Sequence, residues 1–70
     1  MHLHVAVFAE GGHWIAQALE HDVRTIGANS ADAVYLLRMQ LNALHDSGKL
    51  YDLPPAPGEY WEQMAMILSL

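Results

Sequence analysis

Apolar and polar positions alternate from residue 2 to residue 9, with Leu3, Val5 and Val7 on one side and His2, His4, Ala6 and Phe8 on the other. That period of two predicts a first β-strand, closed by the turn Glu10-Gly11-Gly12. The alternation resumes from Gly12 to Leu19, where Trp14, Ala16 and Ala18 share one face and Ile15, Gln17 and Leu19 the other. Neither face is frankly polar, and a second strand follows the hairpin, with at least one face of the sheet to be buried against a helix. Glu20, His21 and Asp22 make a charged turn, and Val23 to Ile26 return antiparallel as a short strand ended by Gly27.

The period then lengthens. Ala33, Val34, Leu37, Leu41 and Leu44 recur at helical spacing from Ser30 to Ser47, Leu36 and Met39 widen the stripe, and Arg38, Gln40, Asn42 and Asp46 supply much of the polar side. Asn29 is a good N-cap, because its side-chain oxygen can accept from an orphaned backbone donor, and Asp32 sits three positions on, as in a capping box. Gly48 is the expected stop. Such a helix lies across the sheet, giving an α+β domain with a three-stranded antiparallel sheet packed by one long helix, β-β-β-α, as its core over residues 1–48.

Leu53-Pro54-Pro55-Ala56-Pro57 cannot continue a helix, because three prolines remove donors and hold the chain extended. Residues 49–57 should therefore form an ordered crossing linker. Beyond it, Tyr60, Trp61, Met64, Ala65, Ile67 and Leu68 fit an amphipathic helix over 58–68 with Glu59, Glu62 and Gln63 outward; a strand would set Glu62 among Tyr60, Met64 and Met66. A C-terminal helix is thus the expectation and a fourth strand the alternative. Trp61 is expected to be buried, whether Met64 and Met66 make core or an adaptable binding surface.

Composition adds a second constraint. A single domain of 70 residues buries only about 60% of its unfolded surface, yet 53% of the residues are hydrophobic and 16% charged. Self-association as a homodimer or higher homo-oligomer, or a bound partner, would hide the excess. Eight acids against three bases give a formal charge of −5. That balance argues against direct binding of nucleic acid, whose affinity comes mostly from lysine and arginine, and suits a basic protein partner. Cysteine is absent, which excludes disulfides and thiol chemistry; no apolar run reaches the length of a membrane span, and Leu3 to Ala9 lacks the flanks of a signal peptide. A cytoplasmic protein is expected.

The stretch from Gly12 to Ala33 carries a family likeness. An aromatic after a glycine-bearing turn, then alanine and glutamine, Leu19-Glu20-His21-Asp22, Gly27, and finally Asn29, Asp32 and Ala33 together resemble the HicB-like antitoxins, over about residues 3 to 48. Asn29 stands where the family usually has threonine and Asp32 where it usually has glutamate, and both changes keep the capping chemistry. The resemblance implies a partial ribonuclease H-like fold, with a fourth strand after the helix in fuller members. It also implies a function: binding and neutralising a HicA-like toxin, a small basic ribonuclease that cleaves messenger RNA, by covering its active surface. Many members carry a C-terminal DNA-binding domain, which a chain ending at Leu70 has no room for, so operon repression by direct DNA contact is not expected.

Few residues invite chemistry. His2 and His4 share a strand face and could share an ion, but zinc needs three or four ligands and the others are not evident, so neither a metal nor another cofactor is expected. Glu20, His21 and Asp22 are adjacent in a turn, point apart and have no nucleophile beside them, and the clustered carboxylates of a two-metal nuclease are missing. The protein is therefore expected not to be an enzyme. Glu10, Glu20 and Asp22 are the candidate partner contacts, through steering toward a basic surface, and Trp14 is the candidate anchor if the helix leaves its face uncovered. A stand-alone acidic inhibitor or adaptor for another basic nucleic-acid-handling protein, or an orphan oligomerising domain, are the competing readings.

Overall fold

The computed structural model describes residues 1–70. Four strands make one antiparallel sheet: β1 (His2–Glu10), β2 (His13–Ala18), β3 (Arg24–Gly27) and β4 (Met64–Ser69), in the spatial order β3-β2-β1-β4. One α-helix, α1 (Ser30–Asp46), follows β3, and two short 3₁₀ segments, Leu50–Asp52 and Gly58–Gln63, lie between it and β4. The β1–β2 hairpin turns on Gly11 and Gly12, at φ of 59° and 81°, between the facing residues Glu10 and His13. Two consecutive left-handed residues match the twist of the strands they join, and glycine adopts that backbone without steric cost.

Alternation sorts the sheet into two faces. Leu3, Val5, Ala16, Ala18 and Leu68 pack with Ala33, Leu37 and Leu41 of α1 and with Leu50 in the main core. The helix starts as the sequence expects: Asn29 Oδ1 accepts from the Asp32 N–H at 2.9 Å. Its approach to the sheet is closer than the sequence suggests. A Cβ added to Gly27 would lie 2.5 Å from the Ala33 nitrogen, and Thr25 donates its hydroxyl proton to the Ala33 carbonyl at 2.7 Å. Gly27 thus ends β3 and also lets the first turn of α1 settle on it. At the other end Gly48, at φ of 75°, follows the last helical turn.

The opposite face is covered by the linker. Ala6 and Leu19 pack with Ala56, flanked by Phe8 and Tyr60. The linker runs beside the β2–β3 turn, where Asp22 N–H donates to the Pro54 carbonyl at 2.7 Å and Ala56 N–H to that of Leu19 at 3.0 Å. Those bonds help hold a proline-rich segment in place: both of its backbone donors, Leu53 and Ala56, and the Leu53, Pro54 and Pro57 carbonyls have partners.

The expected C-terminal helix does not form, and the sheet has a fourth strand instead of three. Residues 58–63 make a 3₁₀ segment, and β4 pairs antiparallel with β1 from His2 opposite Ser69 to Ala6 opposite Met64, with a bulge between Val5 and Ala6. A period-two reading of residues 64–70 was available, because Met66, Leu68 and Leu70 all turn into the core. The deciding force is tertiary. Without β4, the outer backbone groups of β1 beside buried Leu3 and Val5 would have no partners, and leaving such groups unpaired costs more than helical periodicity returns. Glu62 escapes the core because the 3₁₀ segment precedes the strand. Trp61, expected to be buried, is 44% exposed. No helix is long and apolar enough to cross a membrane.

Candidate functional site

The linker side of the sheet carries most of the polar organisation. Gln17 is buried to 1% exposure in the middle of a strand, which requires that its amide be fully paired. It is: Nε2 donates to the Asp22 carboxylate and the Ala18 carbonyl, both at 2.9 Å, and Oε1 accepts from Arg24 Nε at 3.1 Å. Arg24 continues outward, donating through Nη2 to the Tyr60 hydroxyl and lying with its guanidinium carbon 5.2 Å from the Tyr60 ring centre. Tyr60 in turn stacks on Phe8, centroids 5.9 Å apart and planes 19° apart. One chain of contacts therefore locks the linker onto the sheet through Gln17, Arg24, Tyr60 and Phe8.

Glu20 forms a second anchor. Its carboxylate accepts from the backbone N–H of His4 at 2.9 Å and lies 2.7 Å from His4 Nδ1. Burial alone would raise its pKa; the hydrogen bonds from the His4 ring and backbone, its own backbone N–H and the charge of His4 together outweigh burial and hold it below the ordinary value of 4.5. The Trp61 ring packs over the His4 ring at 5.0 Å between centroids. Two shallow grooves flank Tyr60: one of about 320 Å³ lined by Gln17, Asp22, Arg24, Pro57 and Tyr60, and one of about 300 Å³ lined by Phe8, Glu59, Tyr60, Glu62 and Gln63.

The charge is distributed unevenly between the two faces. Glu20 and Asp22 bond to residues of the linker-side face, Glu59 and Glu62 line a groove with Phe8, and Glu10 shares Phe8's face by strand alternation. The single base among them, Arg24, is held by Gln17 and Tyr60. On the helix and the short segment after it, the acids Asp32, Asp46 and Asp52 stand against Arg38 and Lys49.

The four residues expected to contact a partner are not brought together. Glu10 stands at the β1–β2 hairpin and Glu20 and Asp22 at the opposite end of the strands, while Trp14 shares the helix-bearing face with Ala16 and Ala18 and is 37% exposed. Asn29 and Asp32 sit at the start of α1, where they cap. Glu59 and Glu62, read from the sequence only as outward-facing, and Phe8, Tyr60 and Trp61 complete the acidic side; a tract of aromatics and acids after prolines was the one signal for them.

Comparison with known families, characterised proteins and solved structures yields no match.

Residues that could support chemistry stay apart. Glu20 turns to His4, His21 sets Nδ1 3.0 Å from the Leu53 carbonyl, and Asp22 turns to Gln17, so the three adjacent side chains serve three different partners. His2 is engaged by Ser69, its Nδ1 2.8 Å from the hydroxyl, and not by His4. No group of three or more His, Cys, Asp or Glu residues is placed to hold a metal ion. What the arrangement offers is a rigid surface with carboxylates around aromatic rings, suited to receiving lysine and arginine side chains.

Proposed function

We propose that this protein is an antitoxin-like binding module that neutralises a small basic HicA-like messenger-RNA-cleaving toxin in the cytoplasm by covering its active surface. The observation that carries the reading is the one-sided charge: Glu10, Glu20, Asp22, Glu59 and Glu62 on the linker side, against an Arg24 already engaged by Tyr60. A ribonuclease surface built to hold a phosphate backbone is cationic, and an acidic face around stacked aromatics competes for the same lysines and arginines.

Two further points support it. The resemblance across residues 3 to 48 implies a partial ribonuclease H-like fold, which in fuller members has a strand after the helix, and a fourth strand follows α1 in this chain. The residues that carry the resemblance also have structural work that fits a binding scaffold: Gln17 and Asp22 pair in the linker network, and Gly27, Asn29 and Asp32 set the helix start. The contact surface we assign is Phe8, Tyr60 and Trp61 with the surrounding carboxylates.

The test is capture and inhibition together. Affinity purification of the full chain from its native cell should retain a small basic protein that cleaves RNA, and the purified chain should abolish that cleavage at equimolar amounts. A retained basic nucleic-acid-handling protein without ribonuclease activity would instead establish the adaptor reading.

A further inference from the structure

Tyr60 lines both grooves of the linker side, and the chain places a cation in only one of them. There Arg24 sets its guanidinium carbon 5.2 Å from the Tyr60 ring centre and donates through Nη2 to the Tyr60 hydroxyl. The other groove, of about 300 Å³, is lined by Phe8, Glu59, Tyr60, Glu62 and Gln63, two acids and no base. Local backbone geometry builds it. Glu59, Tyr60, Glu62 and Gln63 belong to the 3₁₀ segment Gly58–Gln63, in which side chains three apart eclipse, so Glu59 stands over Glu62 and Tyr60 over Gln63. Phe8 reaches them from β1 and stacks on Tyr60, centroids 5.9 Å apart. Neither carboxylate takes part in an ion pair, so two like charges are held beside an aromatic pair with no base in the groove to offset them.

We infer that this groove seats one arginine side chain of the partner, its guanidinium stacked on the Phe8–Tyr60 pair and hydrogen-bonded by the Glu59 and Glu62 carboxylates. The inference rests on the linker side being the partner surface and names the residue recognised there. Charge complementarity selects a cation, and the aromatic walls select among cations. A guanidinium is planar and weakly hydrated, so it gives up little in stacking on a ring while its N–H groups fork toward carboxylates; an ammonium is a compact, strongly hydrated point charge. Gln63 adds a side-chain oxygen that can accept a further N–H of the same fork. Arg24 shows the mode within the chain itself: a guanidinium lying against Tyr60 with a polar side chain, Gln17, accepting from its Nε at 3.1 Å.

Titration of the full chain by nuclear magnetic resonance, with the blocked peptides N-acetyl-Gly-Arg-Gly-amide and N-acetyl-Gly-Lys-Gly-amide as probes, tests the inference without the native partner. The arginine peptide should shift the amides of Phe8 and residues 59–63 saturably and bind about threefold or more tightly than the lysine peptide. Glu59→Gln/Glu62→Gln, at two exposed positions, should weaken arginine binding about fivefold with the far-ultraviolet circular dichroism unchanged, and Asp46→Asn on the helix should bind as wild type does. Equal affinity for the two peptides, shifts centred elsewhere, or a Glu59→Gln/Glu62→Gln protein that binds like wild type would each overturn the inference. Arginine selectivity in a chain that captures no ribonuclease would count against the antitoxin reading alone; a captured ribonuclease without that selectivity would sink only the arginine groove.

Discussion

Glu20 holds His4 twice, accepting its backbone N–H at 2.9 Å and meeting its ring Nδ1 at 2.7 Å, and so ties the β2–β3 turn to the first strand. Because the folded state keeps the Glu20 carboxyl below its ordinary 4.5, the contribution is complete above that value and is lost as pH falls through the lower, folded one. Glu20→Gln should therefore cost about 1 kcal/mol or less at neutral pH, the pair being partly solvated, and should remove part of the acid-side loss of stability. Denaturant melts across the acid range measure it; parallel wild-type and variant profiles would contradict the assignment.

Gly27 and Ala33 meet so closely that no side chain fits between them. Gly27→Ala must push the first turn of α1 off the sheet and should destabilise by about 1–3 kcal/mol, as overpacking does. Gly58→Ala, where an added Cβ meets nothing, is the control and should lie within about 0.5 kcal/mol of wild type. Chemical denaturation midpoints compare the two.

Asn29→Ala should cost about 1 kcal/mol through loss of the Asn29 Oδ1 bond to the Asp32 N–H, and Asn29→Ser should recover most of it. Thermal unfolding of the three proteins orders them.

These features differ in how far the sequence reveals them. The hairpin glycines, the cap at Asn29 and the alternation of β1 and β2 are local, fixed by backbone conformation or by a neighbour a few residues away, and all are readable. The last element is not. Residues 64–69 satisfy a helical period and a strand period at once, and the choice between them is made by the open edge of β1, at the other end of the chain. The same distance hides the site. Glu20 is recognisable as an exposed acid in a turn, but its engagement by His4 depends on strand register, and the meeting of Phe8 with Tyr60 depends on a linker path set by bonds from Asp22 and Ala56. Trp14 is a candidate anchor by residue type, and only strand parity shows that it lies on the helix-bearing face, where it is left partly exposed.

Gln17 should be the least replaceable polar residue. Gln17→Leu removes the partner of Arg24 Nε and of the Asp22 carboxylate together, and truncating a buried amide network costs about 1–3 kcal/mol. Near-neutral stability in this variant would show that the network contributes little, and the linker's position would then rest on the backbone bonds of Asp22 to Pro54 and Ala56 to Leu19 and on the packing of Ala56 and Tyr60.

A basic partner received on the acidic linker side must feel charge reversal at Glu59 and Glu62, which line the groove beside Phe8 and Tyr60 and whose carboxylates take part in neither of the protein's ion pairs. With the RNA-cleaving basic protein captured from the native cell as probe, Glu59→Lys/Glu62→Lys should weaken binding at least tenfold and leave cleavage uninhibited at equimolar amounts, while Asp46→Lys on the helix side should bind as wild type does. Equal inhibition by all three proteins, or loss of inhibition only in Asp46→Lys, would contradict it.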